Sequence, residues 1–174
     1  MDSGRLFYYP MSNESPKNGA TIRGNTMDND NIAASPATPG WFWIVSAIAL
    51  LWNFMGVTAY FGMMMMTLEM AAESYGQDFA DIFAAKPAWA TGAFAIAVFS
   101  GLLGAIALLL RQKWAGALFI LSLLCIIIHN IWGVMAGTLS VIGTFDIVMT
   151  VAVLIISAFL IWFARAMTAR GILK

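Results

Sequence analysis

Charge is what this 174-residue chain most lacks. Asp, Glu, Lys and Arg make up 10% of it, against 61% hydrophobic residues. Soluble domains carry roughly 25% charged residues, so a chain this poor in them has too little polar surface to stay in water. That composition places it in the membrane class. Cys125 is the only cysteine, which excludes a disulfide within the chain. It follows no metal spacing, lies beside three isoleucines, and reads as a buried thiol that packs as a small hydrophobe. His129 is the only histidine. No Ser-His-Asp complement lies at one membrane level, and H-E-x-x-H, a phosphate loop and a glycine-rich dinucleotide motif are all missing. An intramembrane enzyme needs a nucleophile with a base, or a metal. The expectation is a protein that is not an enzyme, with no cofactor, no metal and no nucleic-acid partner.

Long apolar runs are what the chain does have. About 20 residues of helix cross a hydrocarbon core about 30 Å thick, and four stretches qualify, at about 42–65, 88–110, 114–137 and 144–167. Continuous apolar character without alternation excludes barrel strands, and helix is the other structure that satisfies its backbone in lipid. The expected fold is all-α: a four-helix transmembrane bundle over residues 41–174. Pro87 suits the start of the second span, where its missing N–H costs nothing.

Residues 1–40 are rich in Ser, Asn, Pro, Gly and Asp without helical or strand period, and read as a disordered polar tail. They lack the form of a secretory signal, since the first apolar run starts near Trp41 and is too long for one. Two starts stay open. Met27 would leave "MDNDNIAASPATPG" ahead of the first span and make residues 1–26 untranslated; a native peptide between Met1 and Arg23 would exclude it.

The few charges are unevenly placed. With four alternating spans, Arg5, Lys17, Arg23, Arg111, Lys113, Arg165, Arg170 and Lys174 fall on one side. Lys86 alone falls on the other, in a loop with Glu69, Glu73, Asp78 and Asp81. The positive-inside rule then puts both termini in the cytoplasm, in a multi-pass bacterial inner-membrane topology. Trp41, Trp43, Trp89, Trp114 and Trp162 lie near span ends, where headgroups favour indole rings. In the outer loop, Tyr75, Phe79, Ile82 and Phe83 recur at helical spacing with Asp78 and Asp81 off that face. A short interfacial helix fits, either as a plain connector or as a lid or docking face. "MMMM" at Met63–Met66 points around most of a helix turn, so flexible packing is preferred to a Cu(I) site.

Two kinds of residue inside the spans carry the remaining information. Ala93, Ala97, Gly101 and Ala105 form a small-residue stripe in the second span, and Gly133 and Gly137 a G-x-x-x-G in the third. Both suit close helix packing in lipid. The polar residues Asn53, Ser100, His129, Asn130, Asp146 and Ser157 are candidates for a polar core or a solute site, because intramembrane polar groups usually face the bundle interior. His129 has three readings: a structural residue bonded to Asn53 or a helix carbonyl, a proton-relay or solute contact, and a metal or haem ligand, for which no second histidine exists. Asp146 suits the N-terminal turn of the fourth span and is the nearest carboxylate to His129. "NFMGV" at 53–57 and "NIWGV" at 130–134 form a short internal repeat.

"LLWNFMGVTAYF", "PAWATGAFAIAVFSGLLGAIALLLRQKWA" and "LFILSLLCIIIHNIW" together resemble a family of small bacterial four-span proteins, some of whose members carry the label sugar transporter. The resemblance covers about 41–132 and is clearest at Asn53, Pro87, Trp89 and the Arg111-Gln112-Lys113-Trp114 turn. It implies four spans and, through that label, transport, with no catalytic residues to carry over. "MMMM" and residues 1–26 depart from it. Two functions follow: a small-solute, sugar-like transport protein working as an oligomer, or a non-catalytic accessory subunit with a membrane-protein partner. Transport requires polar groups on all four spans to converge on one water-accessible cavity. The accessory role requires a closed bundle with a small-residue face left to lipid.

Overall fold

The computed structural model describes residues 38–174. Residues 1–37 of the polar tail, with the alternative start at Met27 and Arg5, Lys17 and Arg23, lie outside these residues. The described chain is all-helical. Helix α1 covers Gly40–Met65, α2 Leu68–Tyr75, α3 Gln77–Ala84, α4 Ala88–Leu109, α5 Ala115–Met135 and α6 Thr144–Ala169, with a 3₁₀ turn at Thr138–Ser140. Helices α1, α4, α5 and α6 are each long and apolar enough to cross a membrane. Pro39 and Pro87 stand immediately ahead of α1 and α4, with φ near −66° and −72°. Large apolar side chains point outward along the spans: Ile44, Ile48, Leu51 and Met55 form one such stripe on α1, all more than half exposed. In water such a surface would aggregate; in lipid it is the solvated face.

The chain runs up α1, down α4, up α5 and down α6. One end of the bundle thus carries both ends of the helical region, the terminal end, and the other carries α2, α3 and the 3₁₀ turn, the hairpin end. Packing is closest between α4 and α5, then between α1 and α4 and between α5 and α6. Helices α1 and α6 meet through rings at the terminal end. Phe163 lies 5.8 Å from Trp41 and 6.0 Å from Phe42, centroid to centroid. The buried core gathers in that half: Phe42 and Ala49 from α1, Ala105 and Leu108 from α4, Phe119 from α5, and Leu160, Phe163 and Met167 from α6.

The C-terminal residues close the terminal end. Arg111 takes a left-handed conformation, φ 58°, at the stop of α4, and the Gln112 N–H reaches back to Ala107 O in a Schellman arrangement that glycine usually serves. Tail contacts accompany it. Arg111 Nε donates to Ile172 O at 2.9 Å, Lys174 N to Arg111 O at 2.6 Å and Lys113 N to Lys174 O at 3.0 Å, while Ile172 and Leu173 are buried.

The loop after the first span, expected to hold one short helix, holds two. Thr67 caps α2 by accepting from Met70 N, and Gly76, at φ 92°, breaks the chain before α3. The aromatic face survives the break: Tyr75 stacks on Phe79 at 4.6 Å and Phe79 on Phe83 at 6.2 Å.

Candidate functional site

The hairpin half holds a cavity of about 470 Å³ between α1, α4, α5 and α6, within the range of small-molecule sites. Five of the six polar residues singled out in the sequence line it: Asn53 from α1, His129 and Asn130 from α5, and Asp146 and Ser157 from α6. Ser100 does not. It is buried within α4 and its hydroxyl turns back to Ile96 O at 2.6 Å, with Ala97 O at 3.2 Å. Helix α4 therefore supplies an apolar wall, Phe94, Ala97 and Val98.

The geometry at His129 is well defined. Its Nδ1 lies 3.0 Å from Ala90 O. A carbonyl can only accept, so Nδ1 carries the hydrogen and, in the neutral ring, Nε2 is left as an acceptor. The ring stacks on Phe94, with centroids 4.8 Å apart and planes at 25°. Of the partners expected for His129, the helix carbonyl is the one found. Ser122, two turns earlier on α5, makes the parallel bond, donating to Ala97 O at 2.7 Å. The small side chains of α4 are what bring its carbonyls within reach of α5.

Asn53 and Asn130 behave alike. Asn53 Nδ2 donates to Ala49 O and Asn130 Nδ2 to Ile126 O, both at 2.8 Å and both one turn back. Thr150 does the same with its hydroxyl, to Asp146 O at 2.9 Å. Asp146 stands in the first turn of α6, where the helix N-terminus favours a carboxylate. Among the described residues, no group of three or more His, Cys, Asp or Glu side chains is placed to hold a metal ion.

The small-residue stripe of α4 divides in its roles. Ala97, Gly101 and Ala105 are buried and Ala93 is half-buried. A Cβ on Gly101 would overlap Asn53 Oδ1 and come within 3.1 Å of Ser122 Oγ, so glycine here lets α1 and α5 side chains approach α4. A Cβ on Gly104 would likewise come within 3.0 Å of the Phe119 ring. The expected G-x-x-x-G face of α5 takes a different form. Gly133 faces Thr138 in the following turn, and Gly137 lies beyond the helix at φ 80°. These two glycines end α5 rather than pack it against another span, because an apolar pattern cannot distinguish a helix stop from a helix face.

Three polar residues at this site escaped the sequence reading. Thr150 is one turn after Asp146 and Ser122 two turns before His129, which is the spacing that would have found them. Lys86 came from a loop. Its Nζ lies 3.4 Å from Met63 Sδ and 5.8 Å from the centre of the Trp132 ring, and burial lowers its pKa to about 8. Met63 lines the cavity, so Lys86 stands at its rim. No protein-family model, curated protein or solved structure matches the chain, and the chemistry of the cavity is read from its own side chains.

Proposed function

We propose that the protein is a small-solute transport protein and that the cavity in the hairpin half is its solute site. One observation carries this reading: polar side chains from three separate spans, α1, α5 and α6, converge on one space of about 470 Å³, although each is surrounded in sequence by apolar residues. Intramembrane polar groups are costly and mark solute paths when they gather round a cavity. The burial of Ala97, Gly101 and Ala105 weighs against an accessory subunit, which would leave that face free for a partner. Four helices enclose little volume, so we assign the working unit as a homo-oligomer. The distribution of basic residues supports a cytoplasmic terminal end in a bacterial inner membrane, and the resemblance of residues 41–132 to small four-span bacterial proteins points the same way.

The test is water access. With Cys125 replaced by alanine, Ser157→Cys in proteoliposomes should react with a water-soluble thiol reagent, while Ile155→Cys, on the lipid face, should not. Equal silence at both positions would remove the cavity from the solute path.

A further inference from the structure

The hydrogen-bond ledger of the cavity wall identifies the class of solute. Several polar hydrogens on this wall are already committed to helix carbonyls: His129 Nδ1–H to Ala90, the Ser122 hydroxyl to Ala97 and the Thr150 hydroxyl to Asp146. Each carboxamide spends one N–H on its own helix. The donors left are the second N–H of Asn53 and of Asn130, the hydroxyl of Ser157 and the indole N–H of Trp52. Lone pairs are far more numerous. They sit on the Asn130 carboxamide oxygen, the Ser122 and Thr150 oxygens, Nε2 of a neutral His129 and the Asp146 carboxylate, while Asn53 Oδ1 is turned into the groove at Gly101. Among the described residues, the buried side-chain polar atoms left without a partner are Ser46 Oγ, Arg111 Nη2 and Thr138 Oγ1, none of them on this wall.

Charge points in the same direction. Among the described residues, Asp146 is the only acid on the wall, and neither lysine nor arginine lines it. With His129 neutral the wall carries one negative charge, felt strongly across a low-dielectric surround. The rest is apolar, with the aromatic rings of Trp52, Phe94 and Phe119, and aromatic faces attract a cation. A polyol fits this wall poorly. Each hydroxyl brings lone pairs as well as a hydrogen, and an acceptor-rich wall leaves those lone pairs without donors at the cost of their hydration.

We propose that the cavity takes a small organic cation, an ammonium group on an apolar body, with its N–H groups on Asp146 and the Asn130 carboxamide oxygen and its body against Phe94 and Trp52. This rests on the reading of the cavity as a solute site and names the solute's class. Lys86 repels such a cation from the rim, which favours a position deeper than Met63.

Calorimetric titration of the purified full chain in micelles near pH 7 tests it with phenethylammonium against its neutral counterpart 2-phenylethanol. The wild type should bind the ammonium at least about tenfold more tightly, and Asp146→Asn should abolish that preference while leaving the alcohol unaffected. Equal binding in the wild type, or a preference that persists in Asp146→Asn, overturns the cation assignment. A second measurement keeps Asp146 intact: phenethylammonium should slow alkylation of Ser157→Cys at concentrations where 2-phenylethanol does not. If Ser157→Cys reacts but neither probe protects it, the solute cavity stands and the cation class falls. If Ser157→Cys is unreactive, both fall.

Discussion

Lys86 shares its loop with four carboxylates, yet its ammonium turns toward Met63 Sδ and the Trp132 ring. Burial strips water from the charged form and lowers its pKa from 10.5 to about 8. Between those two values the unfolded chain holds the proton and the folded chain does not, so stability rises with pH across that interval. Below about pH 8 both states are protonated and the cost of burying the charge is fully present. Lys86→Met should therefore stabilise the protein near pH 7, by about 1 kcal/mol once the partial exposure of the group is allowed for, with the gain fading above about pH 10. Thermal unfolding in micelles across that range reads the difference. A gain of the same size at high pH would assign the effect to packing instead of charge. Composition marked Lys86 as the lone basic residue of its side. Its place beside the cavity was not legible, because it depends on Met63 of α1 and Trp132 of α5 both coming close to its ammonium.

Helix α4 shows what a helical pattern can and cannot convey. The four-residue recurrence of Ala97, Gly101 and Ala105 correctly marks a buried face, because residues four apart lie one above another. The same recurrence at Gly133 and Gly137 failed, since α5 stops at Met135 and Gly137 serves as the left-handed residue beyond it. Ser100 illustrates a second limit: a serine within a span can satisfy itself on its own helix, as it does with Ile96 O. Within the stripe, Gly101 has the most demanding place. Its missing side chain is occupied by Asn53 Oδ1, so Gly101→Ala must push Asn53 aside. Overpacking of this kind costs about 1–3 kcal/mol. Asn53→Ala should remove most of that penalty, and a double-mutant cycle in thermal unfolding should give a coupling of at least about 1 kcal/mol. Additive losses would mean that Asn53 does not fill the groove.

At the scale of the molecule the spans divide into a packed terminal half and a cavity-bearing hairpin half. The span positions were legible to within about two residues because length and hydropathy fix them. The division was not, since it depends on which faces turn inward. Its physical origin is the rings at the terminal end: Trp41, Phe42 and Phe163 join α1 to α6 there, while the hairpin half offers Asn53, Asn130 and Asp146, which cannot form a dry seam. Leu160 and Phe119 form the floor of the cavity, and the aromatic cluster lies beneath them. Phe163 is 2% exposed, and Phe163→Ala would open a void between α1 and α6. In lipid the unfolded reference is itself apolar, so the transfer part of the usual Phe→Ala cost is small and the packing part remains, about 2 kcal/mol. The larger consequence is topological. With Phe163 intact, Ser157→Cys should be alkylated only from the hairpin side of sealed vesicles. With Phe163→Ala, reagent applied to the terminal side should reach it too. A thiol that stays one-sided after loss of the ring would place the barrier elsewhere, in Leu160 or Phe119, which lie between the aromatic cluster and the polar wall.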